Sequence, residues 1–290
     1  MLTYRLMSGV LAGGALLLLL WFLPAVAVFT VVLLLGLGGQ AEFYRMLRRA
    51  EIPVFTVVGA LAGGGLLTVT FFALGPLGRG AQVARELEWA ILLATLLAVF
   101  LRVFPQKHNP HPLETIGCTL LGVWYVPFLL NFVTALGYTW EQGGWGPLPE
   151  TGRWLILYLV AVVKCSDIGA YAVGMLVGRH KLIPRISPNK TWEGFVGGIV
   201  FSLIASCAFS ILCHGALGKV PLTLTHALVL GPLLGLVGVA GDLFESLMKR
   251  ASHTKDSGAI VPGMGGLLDV LDSLLFGAPV LYAYVRIVLL

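Results

Sequence analysis

From Leu6 to Leu37 the chain runs for 32 residues without a charged side chain. A helix needs roughly 20 apolar residues to cross a bilayer, and runs that meet this need recur to the C-terminus. Inside hydrocarbon no water can bond backbone N–H and C=O groups, so a crossing segment must satisfy them internally, and runs of this length do so as helices. An ordinary soluble domain is excluded. Pro24 lies near the middle of the first run, and we read two short spans there that turn near Leu23–Pro24. A rival reading is a cleaved signal peptide, with Arg5 as its charged region, Leu16–Leu20 as its core and Ala25-Val26-Ala27 as the cleavage site. The apolar character continues past Ala27, which favours two spans.

Further spans are expected at Val54–Leu74, Leu87–Phe104, Thr115–Leu136, Trp154–Val177, Gly194–Cys213, Leu222–Ala240 and Leu267–Leu289, which makes nine in all. The expected fold is an all-α integral membrane protein of about nine transmembrane helices. We divide it into N-terminal transmembrane helices over 1–110 and a C-terminal catalytic region over 111–290. Gln40 to Glu51, with Arg45, Arg48 and Arg49, reads as a basic loop or surface helix. Trp140 and Trp145 read as interface anchors.

Nine spans put the N-terminus on the side of the loops that follow spans two, four, six and eight. That side carries thirteen basic residues: Arg5, Arg45, Arg48, Arg49, Arg102, Lys107, Arg179, Lys181, Arg185, Lys190, Lys249, Arg250 and Lys255. The other side carries five, Arg79, Arg85, Arg153, Lys219 and Arg286, and Lys164 falls inside a span. Cytoplasmic loops hold the excess of Lys and Arg, so the first side is expected to face the cytoplasm. The net charge of +5 suits anionic headgroups or nucleotides. Nucleic acid is not expected, because no basic stripe is interleaved with aromatics. Cys118, Cys165, Cys207 and Cys213 all fall in apolar segments without paired spacing, so neither a zinc site nor a disulfide is expected.

Only 11% of the residues are charged, yet four of the five aspartates (Asp242, Asp256, Asp269 and Asp272) lie between Gly241 and Ser273. Asp242, Glu245, Ser246 and Lys249 fall at steps that share one face of a helix. Gly258, Pro262, Gly263, Gly265 and Gly266 bar a regular helix after it and let backbone N–H groups approach an anion. From Leu267 the pattern turns apolar, and Asp269 and Asp272 share a face of the new helix's first turns. Two carboxylates there and a third, Asp242, from the preceding helix form an oxygen-only ligand set for a hard cation such as Mg²⁺. With Lys249, Arg250 and Lys255 beside it, the set suits phosphoryl or nucleotidyl transfer. The bland alternative is that these aspartates are helix caps and rim charges.

A second group of residues falls on the same side. Ser187 precedes Pro188, which can open a helix, and Ser187, Lys190 and Thr191 bring hydroxyls and a cation to its start, where a phosphate chain can bind. The alternative is that Ser187 and Thr191 only cap the helix while Lys190 reaches lipid headgroups. Just before them, Lys164 and Asp167 lie deep in a span, either as a structural ion pair or as the wall of a polar cavity.

The long stretch resembles the C-terminal motif of the phosphatidate cytidylyltransferases (CDP-diacylglycerol synthases). The matching elements are Ser246-x-x-Lys249-Arg250, Lys255-Asp256-Ser257, Pro262-Gly263-x-Gly265-Gly266 and Asp269-x-x-Asp272. Ser187-Pro188-x-Lys190-Thr191-x-Glu193-Gly194 is similar to a second family element, and Asp167-x-x-Ala170-Tyr171-x-x-Gly174 to a third. Two positions depart: the family usually has His where Met264 stands and Arg where Val270 stands. The resemblance implies transfer of CMP from CTP to phosphatidic acid at the cytoplasmic face. It implies Mg²⁺ on Asp242, Asp269 and Asp272, with Lys249, Lys255 and Asp256 also catalytic and a second cation possible at Asp256. Asp167, Ser187, Lys190, Thr191, Ser246, Arg250, Gly263, Gly265 and Gly266 are then substrate-binding, membrane lipids surround the chain, and a homodimer is compatible with it. Two other classes remain open: a related CTP-dependent lipid enzyme such as a polyprenol kinase, and a non-catalytic membrane transporter or scaffold.

Overall fold

The computed structural model describes residues 14–106, 109–141, 143–254, 257–258 and 265–290. Helix α1 covers 14–22 and the chain breaks at 23–24. Pro24 is extended, with φ −65° and ψ 155°, and α2 (Ala25–Arg49) starts directly after it, so the turn lies where the sequence placed it. Next come α3 (Thr56–Leu74), α4 (Gly80–Val103) and α5 (Pro112–Val123). A π-helical turn at Trp124–Phe128 around Pro127 leads from α5 into α6 (Leu129–Tyr138). After them come α7 (Glu150–Val177), α8 (Trp192–Leu212), α9 (Leu224–Ala251) and α10 (Leu267–Tyr284). Two small antiparallel hairpins are the sheet structure of the described residues: β1 (Lys181–Ile183) with β2 (Ser187–Thr191), and β3 (Ala216–Leu217) with β4 (Val220–Pro221).

Among the described residues, seven helical segments are long and apolar enough to cross a membrane: α2, α3, α5 with α6, α7, α8, α9, and α10 with its terminal turn. The other two expected spans are helical as well. Of the first, α1 is described over 14–22 alone. The other, α4, has 24 residues but carries Arg85, Glu86, Glu88 and Arg102.

Two helices run further than their hydropathy suggests. The basic stretch after Leu37 is no loop or separate surface helix, because α2 continues through it to Arg49 with Gln40 and Glu42 buried. Likewise α9 carries its apolar span and its polar end in one helix of 28 residues.

The chain divides into two compact units, one of Met1–Pro149 with Ala251–Leu271 and one of Glu150–Arg250 with Asp272–Leu290. In the first, Tyr44 fills the space opposite Gly59 and Gly122. Its hydroxyl donates to the Thr119 carbonyl at 2.7 Å, and Gln40 donates to the Gly59 carbonyl at 2.9 Å. Asn131 donates to both Thr70 and Glu88 at 2.8 Å, a polar link between α6, α3 and α4. In the second unit small residues set the helix spacing: Gly169 faces Phe201, Gly197 faces Val173, and Gly231 faces Ser206. Close approach of this kind replaces the hydrophobic drive that lipid does not supply. Ser206 then joins α8 to its neighbours, bonding the Tyr158 hydroxyl at 2.7 Å and the Ala227 carbonyl at 2.8 Å.

Candidate active site

In the second unit, α9 presents Asp242, Glu245, Ser246 and Lys249 on one face, as their spacing requires. Lys249 Nζ lies 2.8 Å from Glu245 Oε2, and Ser246 Oγ is 3.4 Å from Asp242 Oδ1. From α10 comes Asp272. Asp242, Glu245 and Asp272 each offer a carboxylate oxygen within 4.8 Å of the other two. Glu245 is 1% exposed and Asp272 6%, so two of the three charges are held away from water, where carboxylates require counter-charge.

The counter-charges come from three elements. Lys190 Nζ reaches Asp242 Oδ2 at 2.7 Å from the end of β2, and Lys249 pairs with Glu245 on α9. Lys164 and Asp167, on α7, pair at 3.0 Å. Ser273 ties this pair to the trio: its Oγ is 3.0 Å from Asp272 Oδ1 and 3.5 Å from Asp167 Oδ1. Lys164 and Asp167 thus form the ion pair, one serine away from the trio.

Lys190 is held by its neighbours. Ser187 and Pro188 do not open a helix as the sequence suggested; both lie in β2, and α8 begins at Trp192. Thr191 is the cap, its Oγ1 accepting the Gly194 N–H at 3.1 Å. On the other strand side, Glu193 accepts the Arg179 N–H at 3.1 Å and meets His180 Nδ1 at 2.6 Å. Arg250 Nε donates to the Ile186 carbonyl at 3.3 Å, which links the end of α9 to the hairpin turn. Beside the hairpin, an open apolar groove of about 550 Å³ runs between α7 and α8, lined by Val173, Trp192, Val196, Val200 and Phe201.

Asp269 belongs to the first unit. Its Oδ2 accepts the Gly266 N–H at 2.6 Å and the Ser257 hydroxyl at 2.8 Å. Gly265, at φ +101°, turns the chain into α10 in a conformation that favours glycine. Thus the trio that the structure gathers contains Glu245 where the sequence reading had Asp269. The spacing of Glu245 from Asp242, three residues on a helix, was the signal for it. Ser273 and Glu42 gave no comparable signal. Lys255, Asp256 and Gly263 lie outside the described residues.

An all-oxygen carboxylate set of this spread, with lysines beside it, fits a hard divalent cation shared with phosphate oxygens. Fold and site together define a class: a multi-pass helical membrane protein equipped for chemistry on phosphates. Residues 3–288 match the Cytidylyltransferase family, and the chain belongs to that family. It is 32% identical over 280 residues to the phosphatidate cytidylyltransferase of Bacillus subtilis (strain 168), covering 96% of this chain and 95% of that one. It is 34% identical over 271 residues to the phosphatidate cytidylyltransferase of Mycobacterium bovis, covering 92% of this chain and 82% of that one. An uncharacterised protein of Escherichia coli (strain K12) is 42% identical over 143 residues, 48% of this chain and 46% of the other.

Proposed function

We propose that this protein is a phosphatidate cytidylyltransferase, transferring CMP from CTP to phosphatidic acid to give CDP-diacylglycerol and pyrophosphate. Family membership sets the reaction class, and the observation that carries the reading is the trio of Asp242, Glu245 and Asp272, with Lys190 and Lys249 on it. A phosphate oxygen of phosphatidic acid attacks the α-phosphorus of CTP, the bond from that phosphorus to the bridging oxygen breaks, and pyrophosphate leaves. This nucleophile is already an anion at neutral pH, so no strong base is required, and Met264 in place of the family's His is tolerated. The obstacle is repulsion between two polyanions.

When bound, Mg²⁺ supplies charge neutralisation at the phosphates and orients them. Asp242, Glu245 and Asp272 would hold it, with Asp269, one turn before Asp272, as a further ligand. Lys190, Lys249 and Lys255 bind phosphate oxygens, and the lysines that now bridge to carboxylates can exchange partners as the phosphates arrive. Gly263, Gly265 and Gly266 let the backbone approach the triphosphate, and Asp256 orients Lys255 or takes a second cation. Ser187, Thr191, Ser246 and Arg250 complete the polar wall with Asp167, and the groove between α7 and α8 receives an acyl chain. The site faces the cytoplasm, the compartment that holds CTP.

The test is direct. Purified protein given CTP, phosphatidic acid and Mg²⁺ should release pyrophosphate and form CDP-diacylglycerol in equal amounts. Release of CDP in its place would identify a lipid kinase. No CTP turnover with any lipid phosphate would leave the transporter or scaffold class.

A further inference from the structure

Glu42 lies on the part of α2 that the sequence reads as basic surface, yet it is fully buried. A carboxylate removed from water needs donors. Its Oε2 accepts the Leu268 N–H at 2.9 Å and lies 3.4 Å from the Ser257 hydroxyl. Ser257 also reaches Asp269, which accepts the Gly266 N–H. Space is as restrictive as the bonding: a side chain at Gly258 or at Gly266 would run into the Glu42 carboxylate. All of these residues belong to the first unit.

Leu268 is the second residue of α10, so its N–H is one of the four at a helix start without an intrahelical partner, and a carboxylate there gains from the helix dipole. Glu42 supplies that carboxylate from 226 residues away in the chain. We propose that Glu42 is a positioning residue for the transferase reaction. From α2 it fixes the first turn of α10, and with it Asp269, and it also fixes Ser257–Gly258 and Gly265–Gly266, so that the glycine backbone is set for the triphosphate. This role rests on the CTP reading above. Glu42 itself touches no substrate.

A residue that merely stabilised the fold would lower the fraction of active protein and leave the KM for CTP unchanged. The experiment compares wild type, Glu42→Ala and Glu42→Gln in one detergent. Pyrophosphate release is followed with CTP varied and then with phosphatidic acid varied, and hydrogen exchange is measured at the Leu268 and Gly266 amides. Glu42→Ala is expected to raise the KM for CTP at least about tenfold, the scale of a small misplacement in a positioned site, without a matching rise for phosphatidic acid, and to speed exchange at Leu268. Glu42→Gln keeps an acceptor oxygen but loses the charge, and its KM for CTP should rise only about two- to fivefold, since charge roughly doubles such a bond's strength. A wild-type KM for CTP in Glu42→Ala overturns the proposal; should alanine prevent folding, a wild-type KM in Glu42→Gln does so. Exchange needs no substrate. If wild type makes no pyrophosphate the CTP reading fails, while unchanged exchange in both variants independently refutes the hold of Glu42 on α10.

Discussion

Asp272 and Glu245 are the buried members of the carboxylate trio, and their removal separates two effects. Asp272→Asn should cut turnover at least about a hundredfold, comparable with loss of one key electrostatic group; near-normal activity in folded protein would take Asp272 out of the site. Glu245→Gln should raise the Mg²⁺ concentration for half-maximal activity about tenfold or more, the range seen when support of a metal site is lost. A Mg²⁺ titration of pyrophosphate release checks this, and an unchanged curve would reduce Glu245 to the partner of Lys249. Sequence spacing could place Asp242, Glu245 and Lys249 on one face, because helical periodicity is local. It could not tell a buried Glu–Lys pair from a solvated one, since exposure depends on what packs against the face. For the same reason spacing cannot show what Asp269 and Asp272 each touch. Both are three residues apart on one helix, but the oxygen of Asp269 is engaged by Ser257 and Gly266.

The hairpin of β1 and β2 and the cap that follows it are the elements least visible in the chain. Strands of three and five residues carry too few side chains for an alternating pattern, and Ser-Pro reads more readily as a helix opening. Pro188 is tolerated because a two-stranded ribbon leaves outward N–H positions that need no partner. The cap at Thr191 then matters twice, ending the strand that carries Lys190 and satisfying the Gly194 N–H of α8. Thr191→Ala should lower stability by about 1 kcal/mol, as loss of a capping hydroxyl does, read as a lower unfolding temperature in detergent. An unchanged temperature would mean that water replaces the cap without loss. Helices α2 and α9 run past their apolar spans for a related reason. Hydropathy marks where lipid ends, whereas a helix ends where its backbone bonds end, and both continue through charged residues to Arg49 and Ala251.

At the scale of the whole chain, the nine-span scheme predicts sidedness for α4, whose charges set it apart from the seven apolar segments. With the native cysteines replaced, Arg79→Cys should label only from outside the cytoplasm and Phe104→Cys only from within, by an impermeant thiol reagent on intact cells and inverted vesicles. Labelling of both from one side would show that α4 does not cross. What the sequence determined by itself was the membrane class, the helical segments, the family and the spacing of the acidic and basic residues from which the site is proposed. Each of these is written in composition, short periodicity or fixed spacing along the chain. What only the tertiary structure decided was that Asp272 of α10 meets Asp242 and Glu245 of α9, and that Glu42 of α2 holds the start of α10. Those contacts join residues that are distant in sequence, and nothing local to either partner specifies the other.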